Sequence, residues 1–182
     1  MKKLSLIFSF LLFVLLVNAQ NELPINEQTG KVTFLEVVDA KGLTAQKLYE
    51  LTKSWAESKG YVSQEDIAGD RIVYKGSTKV YYPSASGGGT TDEGVVHFSV
   101  SGFFKDGKYR IIITDFTHEG NGKLPDGGKL ENESPECGKI KMTGRGWVTI
   151  KNKTRENVDE LIAVIKRVIK EVENDTANND NW

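Results

Sequence analysis

The stretch Glu93 to His118, EGVVHFSVSGFFKDGKYRIIITDFTH, decides how the rest of the chain is read. Two runs rich in β-branched and aromatic residues flank Asp106-Gly107, a dipeptide suited to a two-residue hairpin turn because both residues tolerate positive φ. Pairing Lys105 with Lys108 sets the register of everything before and after. One face then carries Val96, Phe98, Val100 and Phe104 beside Asp115, Ile113, Ile111 and Tyr109, an almost wholly apolar surface fit to lie under helices. The other face gathers Val95, His97, Ser99, Ser101 and Phe103 with His118, Phe116, Thr114, Ile112 and Arg110. It is mixed in chemistry. It also brings the chain's 2 histidines to diagonal positions, about 7–8 Å apart at Cα.

Upstream of the hairpin, Lys31 to Val38 (KVTFLEVV) reads as a strand, and the period then changes. Ala45, Leu48, Leu51, Thr52, Trp55 and Ala56 fall on one helical stripe between a capping Thr44 and a terminating Gly60. Arg71–Lys75 and Lys79–Tyr82 read as short strands, and Pro83–Gly94 as a flexible connector. Downstream, residues 119–146 hold 7 glycines and 2 prolines and read as a long irregular loop. Trp147–Ile150 reads as an edge strand. Val158, Leu161, Ile162, Ile165, Val168, Ile169 and Val172 then repeat as one face of a closing helix over Thr154–Val172. The result is an α+β order, β-α-β-β-β-β-α, with an antiparallel sheet and both helices on one face. The opposite face is expected to be open, or covered by a partner.

The ends and the composition set the context. The chain has 182 residues, 38% apolar and 27% charged, with 24 basic against 25 acidic residues. This balance excludes a polytopic membrane protein, a collagen-like repeat and a disulfide scaffold, and it lacks the basic excess of a general nucleic-acid binder. Met1-Lys2-Lys3, the apolar run Leu4–Val17 and Val17-Asn18-Ala19 have the layout of a secretory signal peptide over 1–19, cut before Gln20. The apolar run is shorter than the roughly 20 residues of a spanning helix. The expected protein is therefore exported, periplasmic or extracellular, with no membrane span after cleavage. Cleavage removes Lys2 and Lys3 and no acid, leaving 22 basic against 25 acidic residues, a net charge of −3. A lead-in arm over 20–30, a single domain over 31–173 and a disordered tail over 174–182 complete the organisation. Cys137, the single cysteine, has no internal disulfide partner.

Ile25 to Gly60 (INEQTGKVTFLEVVDAKGLTAQKLYELTKSWAESKG), with Gly107-Lys108-Tyr109-Arg110 leading into Thr114-Asp115-Phe116, resembles the domain of unknown function 4468 family. That family is found mainly in exported proteins of Bacteroidota and has a fold like the TATA-box-binding protein. The resemblance implies the β-α-β-β-β-β-α order, an envelope location and no established activity. The fold name implies no DNA binding here, which the mature charge and the export signal both oppose.

Chemistry-bearing residues are sparse. His97 and His118 invite a metal reading, but zinc takes three or four ligands, and Asp92, Glu93 or Glu119 would have to complete the set. The plainer reading is two solvated sheet residues. Asp115, alone on the apolar face, reads as a carboxylate capping a helix or pairing with a lysine. Cys137 has no histidine near it in sequence to lower its pKa. Ser86-Gly87-Gly88-Gly89 lacks the lysine of a phosphate loop, so no cofactor is expected. Tyr81, Tyr82, Phe103 and Phe116 are placed near the uncovered sheet surface. The leading expectation is a non-enzymatic binding module for an envelope protein or small ligand. It would use the open face (His97, Phe103, Arg110, Phe116 and His118) or the 119–146 loop. The alternatives are an envelope hydrolase or metal-dependent enzyme using His97 and His118, and a structural protein that associates with itself as a homodimer.

Overall fold

The computed structural model describes residues 23–179, so segment 1–19, expected to be a signal peptide, lies outside the described residues. The elements are β1 (Thr33–Asp39), α1 (Ala45–Ser58), β2 (Val62–Ile67), β3 (Arg71–Pro83), β4 (Thr91–Lys105), β5 (Lys108–Gly120), β6 (Gly128–Lys129) and α2 (Gly144–Asn179). They form an α+β fold whose antiparallel sheet has the order β1-β5-β4-β3-β2, with β6 pairing the far half of β5.

The central hairpin turns where the dipeptide requires, with Lys105 opposite Lys108. Only Gly107 takes a positive φ, 75°. The Asp106 carboxylate accepts the Ala45 N–H at 2.8 Å, at the start of α1. Gly107 also donates to Leu43 O at 2.9 Å and accepts from Ala40 N–H at 2.8 Å. The hairpin tip is thereby bolted to the β1–α1 connection. The Thr44 hydroxyl caps α1 by accepting from Lys47 N–H, and Gly60 follows its end with φ 72°. Leu48, Tyr49, Thr52, Trp55 and Ala56 bury the face that the periodicity assigns to the core.

Several local readings differ from the structure. Arg71–Lys75 and Lys79–Tyr82 are the two ends of one strand, β3, which runs through Gly76. A Cβ at Gly76 would lie 2.8 Å from the Phe98 ring and 2.9 Å from that of Tyr61, so the glycine permits close packing and does not break the strand. Strand β2 carries no strand signal in its sequence because VSQEDI is almost all exposed; it shows no alternation and is held by backbone pairing to β3 and by the Arg71–Glu65 ion pair. Trp147–Ile150 belongs to the first turns of α2, not to an edge strand. The Thr143 hydroxyl accepts Gly146 N–H at 3.0 Å, as an N-cap does. Trp147, Ile150, Thr154, Val158, Ile162, Ile165 and Ile169 form one buried stripe, which overrides the β preference of Val148-Thr149-Ile150. The helix also continues through residues 174–179, which the composition assigns to a tail; extending an anchored helix adds one hydrogen bond per residue ordered.

Both helices pack on one face of the sheet, over Phe34, Ile72, Tyr74, Val96, Phe98, Val100, Phe104, Ile111 and Ile113. The rings of Phe34, Phe116, Phe98, Tyr61 and Trp55 form a continuous chain with centroid spacings of 5.7, 5.8, 6.0 and 5.6 Å. Residues 121–143 are no free loop. Leu130 and Met142 are buried, and Asn132 O accepts from Trp147 Nε1 at 3.0 Å and Lys151 Nζ at 2.7 Å.

Candidate functional site

The uncovered face is organised in rows that follow from the strand registers. The first row across the sheet is Ile67, Arg71, Phe103, Arg110 and Val37. The second is Glu65, Val73, Ser101, Ile112 and Leu35. The Arg110 guanidinium sits over the Phe103 ring, 4.5 Å from its centroid, a cation–π geometry. Arg71 flanks the same ring from β3 and is paired with Glu65. On the edge strand, Leu35 and Val37 remain 53% and 60% exposed. Beside them the hairpin end opens a cleft of about 270 Å³, lined by Val37, Phe103, Arg110, Lys105, Lys108 and Asp70 among others. Within the cleft Lys105, Lys108 and Arg110 face Asp70, and the exposed Asp39 stands opposite Lys108 on the edge strand, so this end of the face mixes cations and carboxylates. The distal rows are polar: His97 Nε2 lies 2.9 Å from Glu119 Oε2, and Lys79 pairs with Glu93 at 2.9 Å.

His97, Phe103 and Arg110 are therefore on the open face as expected, and Tyr81 joins them. Phe116, His118 and Tyr82 are not; all three are buried on the helix side. For Phe116 and His118 the cause is one extra residue in β5. The hairpin register holds as far as Ser99 opposite Thr114, but His97 then faces Thr117 and Val96 faces His118. Asp115, at φ 60°, forms a β-bulge that turns the rest of the strand over. Its carboxylate leaves the apolar face to pair with Lys31 at 2.5 Å, while Phe116 takes the core position. The signal was present in the sequence: a lone aspartate on an otherwise apolar strand face marks a slip of register. Tyr82 is buried by the same alternation that exposes Tyr81.

The pairing of His97 with His118 is thus overturned, since they occupy opposite faces of the sheet. His118 Nδ1 accepts Gly127 N–H at 3.0 Å, and the ring packs against Tyr82 and Trp147 at 5.4 and 6.3 Å. Burial holds its pKa below the ordinary value, with Asp126 and Glu119 opposing. Among the described residues no group of three or more His, Cys, Asp and Glu could hold a metal ion. Burial likewise raises the Cys137 thiol, the opposite of what a thiolate nucleophile requires. Among the described residues no helix is long and apolar enough to cross a membrane.

No family model and no curated protein matches the chain. Two solved structures are similar to it in fold. One is a DUF4468 family protein from Bacteroides ovatus, 15% identical with a TM-score of 0.63, the match covering 80% of this chain and 90% of that one. The other is a TBP-like protein from Parabacteroides distasonis, 16% identical with a TM-score of 0.57, covering 81% and 97%. The fold expected from the resemblance over residues 25–118 is the fold found. At these identities the likeness is one of architecture.

Proposed function

We propose that the protein is an exported, non-enzymatic binding module whose ligand-facing surface is the uncovered side of the sheet. The observation that carries the reading is the Phe103–Arg110 stack, flanked by exposed Val37 and Leu35 and by Lys105 and Lys108, on a face that no described element covers. An aromatic–arginine centre with an apolar margin is the composition of a protein-binding surface. The export part of the proposal rests on the signal-like residues 1–19, which also keep the protein away from nucleic acid.

The test is quantitative co-purification from the native envelope after crosslinking. Phe103→Ser and Arg110→Glu should each leave the thermal melt nearly unchanged and abolish the specific partner, whereas Ser63→Ala on the far edge strand should retain it. Retention of the same partner by both open-face variants would remove this face as the binding surface.

A further inference from the structure

Three dipeptides in the chain place an aspartate or asparagine before glycine: Asp106-Gly107, Asn121-Gly122 and Asp126-Gly127. Such a pair is open to ring closure, because glycine has no Cβ to keep its backbone nitrogen from the preceding side-chain carbonyl. The fold closes two of the three. Gly107 N–H donates to Leu43 O at 2.9 Å, and the Asp106 carboxylate accepts from Ala45 N–H at 2.8 Å. Gly127 N–H donates to Nδ1 of the buried His118 at 3.0 Å, and the Asp126 carboxylate accepts from Gly120 N–H at 2.9 Å. At Asn121-Gly122 neither partner is held in this way. Both residues are exposed in the turn after β5, and the Gly122 N–H has no hydrogen-bond partner among the described residues. Beyond its chain neighbours, nothing lies within 4 Å of where a Cβ on Gly122 would stand. The Asn121 side chain makes one long contact, from Nδ2 to Glu93 Oε1 at 3.5 Å, at the outer limit of a hydrogen bond. Its neutral amide is also a better electrophile than either aspartate carboxylate.

We propose that Asn121 is a self-modification site, where the folded chain loses ammonia and gains a carboxylate with water as its sole co-reactant. Gly122 N gives its proton to solvent hydroxide and attacks Asn121 Cγ. The N–Cγ bond forms, the Cγ–Nδ2 bond breaks, and Nδ2 leaves as ammonia after taking a proton from water. Water then opens the five-membered succinimide at either carbonyl. One opening leaves aspartate; the other leaves isoaspartate, with the backbone routed through the side chain. In both, the amide donor beside Glu93 becomes an acceptor-only carboxylate. Glu93 already pairs with Lys79 at 2.9 Å, so the new charge adds to the polar rows at the distal end of the open face. Isoaspartate also lengthens the backbone by one carbon in a tight turn. There Leu124 N–H donates to Asn121 O at 3.2 Å, and Leu124 O lies against Gly120. The reaction needs no ligand, so it stands or falls independently of the binding surface.

Peptide mapping by mass spectrometry, on folded protein held in mildly alkaline buffer and sampled over time, tests the proposal. The peptide containing Asn121 should gain one dalton and split into aspartate and isoaspartate forms, and the protein should gain one negative charge on isoelectric focusing. The two aspartate–glycine peptides should stay unchanged in the fold and form isoaspartate in urea, where their hydrogen bonds are lost. Asn121→Gln, which would have to close a six-membered ring, should slow the gain several-fold with the melt unchanged. Absence of the gain in folded protein, under conditions where the urea-unfolded chain shows it, would mean that the fold protects this pair too and would overturn the proposal. Isoaspartate appearing as fast at Asp106 or Asp126 in folded protein would overturn it as well, because the hydrogen bonds would then not select the site. Neither result depends on a variant folding.

Discussion

Asp115 shows how far one residue can redirect a strand. Its positive φ lets β5 carry an extra residue, and Phe116 and His118 move from the open face into the core as a consequence. Aspartate tolerates this conformation; a β-branched residue does not. Asp115→Val should therefore cost about 1–3 kcal/mol. Asp115→Gly keeps the backbone and loses only the Lys31 ion pair, which is about half-exposed on both partners and worth at most about 1 kcal/mol. Urea midpoints of the two variants check this, and equal midpoints would mean that the bulge does not depend on the φ of residue 115. A second pair reads out the face assignment. Phe116 is fully buried, so Phe116→Ser should lose at least the roughly 3–5 kcal/mol of a large-to-small core change. Phe103→Ser, on the open face, should stay within about 1 kcal/mol of wild type. The straight register from the Asp106-Gly107 turn predicts similar small losses for both.

At the scale of elements, α2 holds the sheet's covered face together, and its two ends differ in importance. Truncation after Thr154 removes Val158, Ile162, Ile165 and Ile169, all buried. Each is worth roughly 1.5–3 kcal/mol of burial, together comparable to the typical net stability of about 5–15 kcal/mol. The product should be insoluble or lack a cooperative thermal melt, whereas truncation after Asp175 should melt as the full chain does. A cooperative, unshifted melt for the shorter chain would show that the stripe packs elsewhere. This importance was legible in the sequence because a long apolar stripe at 3.6-residue spacing belongs to a helix packed along its whole length. The caps of α1 and the near half of the β4–β5 register were legible for similar local reasons. What escaped has physical causes too. β2 is exposed on nearly every residue and shows no alternation. Val148-Thr149-Ile150 has strand-like composition, and only the tertiary stripe running through Trp147 reveals it as helix. For the candidate surface, His97, Phe103 and Arg110 lie within reach of straight-strand reasoning, whereas Phe116 and His118 lie across the bulge from the turn that set the register.

Considered as a whole, the molecule places its two histidines in opposite environments, and the buried one should set its response to mild acid. His118 Nδ1 accepts from Gly127 N–H, so the ring proton resides on Nε2, and the imidazole is enclosed by Tyr82, Trp147 and the backbone of Gly94. Protonation would put a charge into this enclosure and set a second donor against Gly127 N–H, loosening the 121–143 segment from the sheet. Asp126 and Glu119 offset part of that cost but not the burial; Tyr82, its own pKa pushed up by burial to about 12, stays neutral. Because the folded-state pKa lies below the ordinary 6.5, the contribution of neutral His118 is fully present above pH 6.5 and is lost as pH falls through the lower folded value. The carboxylates held low, Asp66 by Lys53 and Tyr49 and Glu93 by Lys79 and Tyr81, act in a separate window. Their contributions are present above their ordinary values of 3.8 and 4.5 and fade only below them. Urea midpoints should thus be flat from about pH 8 to 7 and fall as the pH drops below 6.5. His118→Asn keeps an acceptor near the Nδ1 position without titrating, and should flatten that fall at some cost in stability. His97→Gln, changed at the exposed histidine, should leave it intact. If the slope just below pH 6.5 survives in His118→Asn, the acid sensitivity belongs to other groups, and the coupling of His118 to the 121–143 segment is not what the fold feels first.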